Sequence, residues 1–329
     1  MHRRDLLTTL FGAGLALPLL GGCSGGGSAG DLPKVGVVAY GPDPTTDITV
    51  EGLKEGLRAA GFEPGKAVQV EYQDAQGDQS LIPQIVQKYV SEGVRVIVPM
   101  TTPCLVATAN ALKNSDQPVV FTEVFNPYAA GVARSSTDHP ANLTGVASPP
   151  PAKELLDLIL ELQPQAKTIG TIYNAGEANS VSAVERLREA AAAGGLKLVE
   201  RTVAGSIEVQ QAAQSLVEEV AAVCIPGDNT VQAALDALVG PAQKARVPVV
   251  AGNPAWIEQG MLACLGPDFR NAGKEAGEMV AAVLNGESPA GMPIRETEKQ
   301  ELLLNRKVAT ALGIAFSEAL AARADRVIE

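Results

Sequence analysis

The stretches KVGVVAY (residues 34–40) and KTIGTIYN (residues 167–174) decide the fold. Each is a short apolar run that is typical of a strand buried in a parallel sheet. A segment with helical spacing follows each run and ends at a glycine, Gly61 in the first case and Gly194 in the second. The second stretch begins about 130 residues after the first, so the pattern indicates an internal repeat.

The elements after each stretch follow the same order, with strands and helices in alternation. This order predicts an α/β protein with two doubly wound parallel-sheet lobes. The first half holds predicted strands at residues 34–40, 68–72, 94–100 and 118–121, and predicted helices at residues 48–61, at residues 79–92 and from near Pro103. The second half holds predicted strands at residues 167–173, 196–202, 220–226 and 247–250, and predicted helices at residues 184–194 and 209–219.

Two facing lobes of this kind form a cleft. In open parallel sheets a ligand binds beyond the carboxyl ends of the strands, where the N-termini of the helices also point. Loops from both lobes then line one cleft, and a hinge motion that closes it can report occupancy to a partner. We therefore expect a small molecule to bind between the lobes.

The first 30 residues have the features of an export signal rather than of a folded domain. A positive start precedes an apolar run that is too short for a comfortable membrane span. The sequence LGGC that ends at Cys23 resembles the bacterial lipobox, in which the cysteine carries the lipid. We predict a signal peptide over residues 1–23, lipidation at Cys23 and a flexible tether over residues 24–30. The paired arginines near the start leave Sec export and twin-arginine export both open.

Composition excludes two broad classes of protein. The chain has 329 residues, 46% of them hydrophobic, which suits two folded domains and argues against disorder. The formal net charge is −11, and no basic stripe of the kind that binds phosphates is present in the sequence. We therefore expect no nucleic-acid partner.

Few residues suit catalysis or metal binding. The two histidines are His2, in the signal, and His139, beside a proline, and the sequence holds no nucleophile-elbow or phosphate-loop motif. We expect no enzymatic activity, no cofactor and no metal site, and an exported α/β enzyme is the remote alternative. Cys104, Cys224 and Cys264 lie in or beside apolar runs, so we predict buried thiols; whether Cys104 lines the cleft is left open.

Three stretches carry a specific resemblance: QDAQGDQ at residues 73–79, the run from Ile172 to Ser180 with Glu177 and Asn179, and PGDNT at residues 226–230. Together they resemble the ABC transporter substrate-binding family of tryptophan/tyrosine type, which is built on the type I periplasmic-binding fold. That fold implies three crossings between the lobes. We place the crossings near residues 144–147, 266–269 and 285–288. Lobe one then comprises residues 31–145 and 268–285, and lobe two comprises residues 146–267 and 286–329.

The resemblance implies a zwitterionic amino acid held by its α-ammonium and α-carboxylate. Thr101 and Thr102 at a predicted helix start suit a carboxylate. Asp228 at a strand end suits an ammonium and also fits an ordinary N-cap. Acidic residues predominate over cations on the strand-end loops, which favours a zwitterion or a cation over a phosphate. The candidate ligand-binding residues are Tyr40, Asp43, Thr101, Thr102, Glu123, Tyr173, Asn174, Asn179, Ser180, Asp228, Asn253, Trp256 and Asp268.

Aromatic residues at several strand ends favour an aromatic or branched amino acid as the ligand. A purine or a cationic metabolite is the alternative, because residues 41–47 and 252–256 depart from the family pattern where they would touch the ligand's side chain. The resemblance implies an ABC permease and ATPase as partners of a monomer. The protein would then lie on the periplasmic side of the cell envelope, attached to the membrane through Cys23. A sensor that passes the closed form to a membrane receptor is also left open.

Overall fold

The computed structural model describes residues 32–329, and the predicted signal, the lipid site at Cys23 and the tether lie outside the described residues. The described part forms one compact unit with two sheets. None of its helices is long and apolar enough to cross a membrane. The three cysteines in this part, Cys104, Cys224 and Cys264, are free and buried, as predicted.

Strands and helices alternate along most of the described chain. The strands are β1 (Lys34–Ala39), β2 (Gln69–Asp74), β3 (Val96–Pro99), β4 (Val119–Val124), β5 (Leu143–Ala147), β6 (Thr168–Asn174), β7 (Lys197–Val203), β8 (Ala222–Ile225), β9 (Val249–Ala251), β10 (Ala263–Pro267), β11 (Arg295–Glu296), β12 (Gln300–Asn305) and β13 (Arg326–Ile328). The helices are α1 (Pro44–Ala59), α2 (Ile82–Ser91), α3 (Thr102–Ala111), α4 (Ala152–Leu162), α5 (Ala178–Ala193), α6 (Val209–Leu216), α7 (Asn229–Gln232), α8 (Leu235–Ala245), α9 (Phe269–Leu284), α10 (Arg306–Leu312) and α11 (Glu318–Arg323).

The two sheets have the same strand order, which confirms the predicted fold class. The first sheet runs β2-β1-β3-β4-β5 with β11 at its edge, and the second runs β7-β6-β8-β9-β10 and continues into β12 and β13. Neighbouring strands are parallel except for β10 and β12. When the strands are numbered from the start of each lobe, both sheets have the order 2-1-3-4-5. This is the order of a doubly wound sheet, which binds ligands beyond the carboxyl ends of its strands.

The repeat extends to the packing of each lobe. Gly36 in β1 lies against the ring of Tyr89 from α2, and Gly170 in β6 lies against the side chain of Leu216 from α6. In both places a Cβ atom would overlap the helix residue, so the glycine lets the helix approach the sheet closely. Short 3-10 turns also precede both α2 and α6.

Two helices begin earlier than their hydrophobic spacing predicts. Helix α1 begins at Pro44 rather than at residue 48, because Asp43 caps it by accepting from the Thr45 amide at 3.2 Å and the proline is preorganised for a first turn. Helix α5 begins at Ala178 rather than at residue 184, and its first turns are polar. Both added turns lie at the carboxyl ends of the sheets, so they bring polar groups to the cleft.

The crossings between the sheets differ in part from the expected positions. Strand β5 stays in the first sheet up to Ala147, two residues beyond the predicted end of that segment of lobe one. The chain does not cross near residues 285–288, because β11 pairs with β5 in the first sheet and Ile294 donates its amide to the Ser136 carbonyl at 2.8 Å. The third crossing therefore lies at residues 297–299, and residues 286–296 belong with lobe one rather than lobe two.

Helices α1 and α9 of lobe one cross at backbone distance. A Cβ atom on Gly52 or Gly56 would overlap carbonyl oxygens of α9, and one on Gly273 or Gly277 would overlap carbonyl oxygens of α1. Close contact of this kind fixes the relative position of two helices. Helix α1 begins beside Asp43 and α9 begins at Phe269, so the crossing also fixes two parts of the cleft wall.

Candidate functional site

A cavity lies between the lobes at the carboxyl ends of both sheets. The empty space between its walls, counted together with the space open to solvent, is about 320 Å³. We call it the inner cavity, and its lining residues are Thr101, Thr102, Glu123, Phe125, Asn179, Asp228, Asn229, Gln232, Asn253, Trp256 and Phe269. A wider outer cavity shares part of this wall and is lined mainly by Tyr40, Gly41, Pro42, Asp43, Pro44, Thr46, Gln76, Gly77, Thr101, Asn229, Gln232, Ala233 and Gln259.

Several polar atoms of the inner cavity are buried without a hydrogen-bond partner. They are the hydroxyls of Thr101 and Thr102, the Asn179 amide oxygen and the Trp256 indole nitrogen. Each of these residues is buried. Buried polar groups in native structures are normally hydrogen-bonded, so this set of donors and acceptors is suited to a polar ligand.

The lobe-two wall is built around the carboxyl of Asp228, at the start of α7. Its two oxygens accept from the Asn174 amide at 2.6 Å and the Val231 amide at 2.7 Å. Burial and, second, the negative charge of Glu177 raise the pKa of Asp228 to about 6. A cation beside Asp228 would therefore be stabilised by the carboxylate and would lower that pKa again.

Glu177 holds the loop that carries Asp228. Its carboxylate accepts from the Asn229 amide at 3.1 Å, the Asn229 side chain at 2.6 Å, the Thr230 amide at 3.0 Å and the Thr230 hydroxyl at 2.7 Å. These bonds satisfy the first backbone amides of α7. Sequence analysis did not select Glu177 for the site, and its role is to position the wall rather than to line the cavity.

The lobe-one wall contains two residues in a left-handed backbone conformation. Thr101 has a φ of 77° immediately before α3, and Glu123 has a φ of 61° in β4. Such values are rare for residues other than glycine, and strained residues of this kind cluster at ligand sites. Thr101 and Thr102 line the inner cavity, and the N-terminus of α3 lies there with them.

Glu123 is buried in the same wall. Its carboxyl accepts long hydrogen bonds from the Thr46 hydroxyl, at 3.5 Å and 3.4 Å. Burial, followed by the charge of Asp43, raises the pKa of Glu123 well above its ordinary range. Burial likewise raises the pKa of Asp43. Among the described residues that line either cavity, none is a lysine or an arginine, so the cleft is acidic.

Most of the candidate residues meet at these cavities. The inner cavity is lined by Thr101, Thr102, Glu123, Asn179, Asp228, Asn253 and Trp256, and the outer cavity by Tyr40 and Asp43. These residues lie close together because the carboxyl ends of parallel strands meet at one edge of each sheet.

Four candidates lie elsewhere. Tyr173 points to the outer side of lobe two and donates its hydroxyl to Glu200 at 3.1 Å. Asn174 and Ser180 stand behind the cavity wall and support Asp228. Asp268 caps α9 and pairs with Lys299 at 2.6 Å.

Four residues that line the inner cavity were not among the candidates. Phe125 and Phe269 follow β4 and β10, and their position at strand ends is a usable sequence signal. Asn229 and Gln232 lie on the short helix α7 immediately after Asp228, where no hydrophobic spacing distinguishes them.

The two lobes touch across the cavity. The Asn253 side chain donates to the Thr45 hydroxyl at 2.9 Å, and the Asn126 side chain donates to the Ser182 hydroxyl at 3.0 Å. The Phe125 ring of lobe one rests on Gly227 of lobe two, where a Cβ atom would overlap it. The structure is therefore a closed arrangement of the lobes.

Two doubly wound lobes that close over a polar cavity define a two-lobed solute-binding protein. The chain belongs to the ABC transporter substrate binding protein family, whose model matches residues 34–328. The expected family is thereby confirmed.

Relatives that are similar in sequence or in structure agree with this assignment. A conserved domain protein from Vibrio cholerae is 35% identical, with a TM-score of 0.85 over 90% of this chain and 99% of that one. An ABC domain from Streptococcus pneumonia in complex with L-Trp is 29% identical, with a TM-score of 0.86 over 90% of this chain and all of that one. A tyrosine-binding protein from Clostridioides difficile is 29% identical over 94% of this chain and 92% of its own length.

The state of the lobes is also reflected in these comparisons. A ligand-free, open substrate-binding protein from Clostridium difficile is 31% identical over 90% of this chain and 99% of its own, yet its TM-score is only 0.69. The TM-score with the tryptophan complex is 0.86 at similar identity. The difference agrees with the closed arrangement described above.

Proposed function

We propose that the protein binds a zwitterionic amino acid between its lobes and delivers it to an ABC importer. The observation that carries the proposal is that a partner for the α-ammonium and partners for the α-carboxylate lie on opposite walls of one closed cavity. Asp228 lies on the lobe-two wall, and Thr101 and Thr102 at the start of α3 lie on the lobe-one wall. A ligand with both charges bridges the walls and so stabilises the closed form.

The α-ammonium is assigned to Asp228. Its carboxyl is held by two backbone amides, so it is fixed in position before the ligand arrives. A charge-assisted hydrogen bond to an ammonium is among the stronger ones, and it offsets the cost of keeping the carboxylate buried.

The α-carboxylate is assigned to the start of α3. The hydroxyls of Thr101 and Thr102 are buried donors without partners, and the N-terminus of a ten-residue helix favours an anion. The Trp256 indole nitrogen is a further unpartnered donor in the same cavity.

The side chain of the ligand would lie among Phe125, Trp256 and Phe269, which line the inner cavity. Aromatic faces suit a planar or branched apolar group. Two relatives, a tyrosine-binding protein and a protein in complex with L-Trp, support an aromatic amino acid. We further propose that the protein is exported and lipid-anchored through Cys23 and that an ABC permease and ATPase are its partners.

A thermal-shift screen of the purified protein tests this function. A ligand that binds only the folded state raises the melting temperature. The panel holds the common amino acids, purines, polyamines and short sugars. A shift with aromatic or branched amino acids is expected, and a shift with purines or polyamines alone would contradict the zwitterion site.

A further inference from the structure

Glu123 and Asp228 are the two carboxyls that line the inner cavity, and Glu123 accepts the weaker hydrogen bonds of the two. Glu123 is 6% exposed and accepts from the Thr46 hydroxyl at 3.4 Å and 3.5 Å, at the long end of the range. The neighbouring Thr49 hydroxyl already donates to the Thr45 carbonyl at 2.8 Å. An ionised carboxylate has room for about four hydrogen bonds, so strong donors are missing around Glu123.

The two carboxyls of lobe two differ from Glu123 in this respect. Glu177 accepts four bonds of 3.1 Å or less from Asn229 and Thr230. Asp228 accepts two bonds, of 2.6 Å and 2.7 Å, from backbone amides. Of these three carboxyls, the one that lacks strong donors is therefore Glu123, on the wall opposite the group assigned to the α-ammonium.

A second, independent feature of the cavity points to a donor on the ligand. The Asn179 amide oxygen is an unpartnered acceptor, its residue is 3% exposed, and it lines the same inner cavity as Glu123 from the other lobe. No lysine or arginine among the described lining residues supplies the missing donors. One α-ammonium at Asp228 does not explain acceptors on both walls.

We propose that Glu123 determines specificity by accepting a hydrogen bond from the far end of the ligand's side chain. The protein then selects amino acids whose side chains end in a hydroxyl, a ring N–H or an ammonium over apolar analogues of the same shape. This inference rests on the proposed amino-acid function.

The physical reason is the cost of leaving a buried acceptor without a partner. Closure of the lobes excludes water from Glu123, so an apolar side chain would bury the carboxyl beside nothing that it can bond. Sites built to bond a substrate hydroxyl or N–H reject the analogue that lacks it by much more than a missing methylene does. Burial and, second, the charge of Asp43 raise the pKa of Glu123, and a hydrogen-bond donor on the ligand would favour the ionised form and lower that pKa again.

Matched pairs of ligands test the inference by titration calorimetry on the full-length protein. The pairs are tyrosine with phenylalanine, tryptophan with its benzothiophene analogue, and lysine with norleucine. In at least one pair the donor-bearing member is expected to bind about 100-fold more tightly or better, because the apolar member leaves a buried acceptor without a partner. Equal affinity within every pair that binds would overturn the inference and leave the amino-acid function standing. Failure of all six to bind would overturn this inference, and it would overturn the proposed function as well if no amino acid of the thermal-shift panel raised the melting temperature.

Two variants separate specificity from a structural role. Glu123→Met is expected to abolish the preference and to keep or increase the affinity for the apolar member. Glu123→Gln keeps an acceptor oxygen and should retain a preference for a hydroxyl or a ring N–H but lose one for an ammonium. Glu92→Gln, at an exposed site on lobe one, is the control and should match the wild type. Retention of the full preference in Glu123→Met would contradict the assignment.

Discussion

Asp228 supports the loop that carries it and faces the cavity at the same time. Its oxygens accept from the backbone amides of Asn174, at the end of β6, and of Val231, in α7. An alanine at this position would remove both bonds and leave two amides without a partner, at a cost to folding as well as to binding. Asparagine is the better test, because it keeps the shape and one acceptor oxygen.

Asp228→Asn is expected to weaken amino-acid binding by about 30-fold or more, because truncating one partner of a buried charge pair costs about 2 kcal/mol or more. Titration calorimetry measures the affinity, and urea unfolding measures the stability. Asp236→Asn, in the first turn of α8, is the control and should bind like the wild type. An affinity for Asp228→Asn within twofold of the wild type would remove the ammonium assignment.

Binding should depend on pH through the same carboxyl. The pKa of Asp228 is raised to about 6 in the structure, so the carboxyl takes up a proton as the pH falls through that value. An ammonium binds only the ionised form, so affinity should be about tenfold weaker at pH 5 than at pH 7 and should level off above pH 7. Binding near pH 6 should also release protons, which calorimetry in buffers of different ionisation enthalpy detects. In Asp228→Asn this pH dependence should be lost.

The sign for stability is opposite to that for binding. A carboxyl whose pKa is higher in the folded state than in the unfolded state favours folding most at low pH, and this contribution is lost as the pH rises through the folded pKa. The unliganded protein therefore bears the cost of the ionised Asp228 at neutral pH, and an ammonium ligand relieves that cost.

Sequence patterns find residues at strand ends but not the direction in which each side chain points. Asp228 and Glu123 follow apolar runs and do reach the cavity. Tyr173 also lies near a strand end, yet side chains alternate between the two faces of a strand and this one faces Glu200. Asp268 pairs with Lys299, and nothing in the sequence links residues 31 positions apart at a crossing.

At the level of elements, the crossing of α1 and α9 requires glycine at defined positions. Gly56→Ala would place a Cβ atom on the Lys274 carbonyl of α9, so it is expected to lower the free energy of unfolding by about 1–3 kcal/mol. The midpoint and slope of urea unfolding measure the change.

Gly240→Ala is the matched control for Gly56→Ala. Gly240 also lies inside a helix, α8, but a Cβ atom there meets nothing within 4 Å. Alanine is a better helix former than glycine, but residue 240 precedes Pro241, which disfavours the helical backbone for a residue with a Cβ atom, so the stability should change by less than about 1 kcal/mol. If Gly240→Ala lowered the stability as much as Gly56→Ala, the close crossing would not be what Gly56 serves.

The alternation of strands and helices could be predicted because its signals are local. Apolar runs and helical spacing identify β1 to β4 and their counterparts in the second lobe. Strand β5, helices α4 and α8, and the elements after β9, among them strand β11, were not predicted. Strand β11 has only two residues, and it exists because it pairs with β5 about 150 positions earlier in the chain, which no local pattern reveals.

At the scale of the whole molecule, closure depends on a close approach between the lobes. Gly227 has a φ of 152° and lies directly under the Phe125 ring. Gly227→Ala is expected to hold the lobes apart and so to weaken binding by about tenfold or more, because only the closed form binds well. Small-angle scattering should find no decrease in the radius of gyration on addition of ligand.

Gly286→Ala is the control for this change, because Gly286 also has a positive φ, of 99°, but a Cβ atom there meets nothing within 4 Å. It should close on ligand like the wild type. A normal decrease in the radius of gyration for Gly227→Ala would show that the contact with Phe125 does not limit closure.

The central claim is that the closed cavity holds both charged groups of one amino acid. The most direct test is calorimetric titration of the wild type with the best amino acid from the screen, with the amine that lacks its carboxylate and with the acid that lacks its ammonium. The account predicts that each truncated analogue binds at least about 30-fold more weakly, since each leaves a buried charged or polar group without its partner. An analogue that binds as tightly as the amino acid would contradict the assignment of the wall that it no longer contacts.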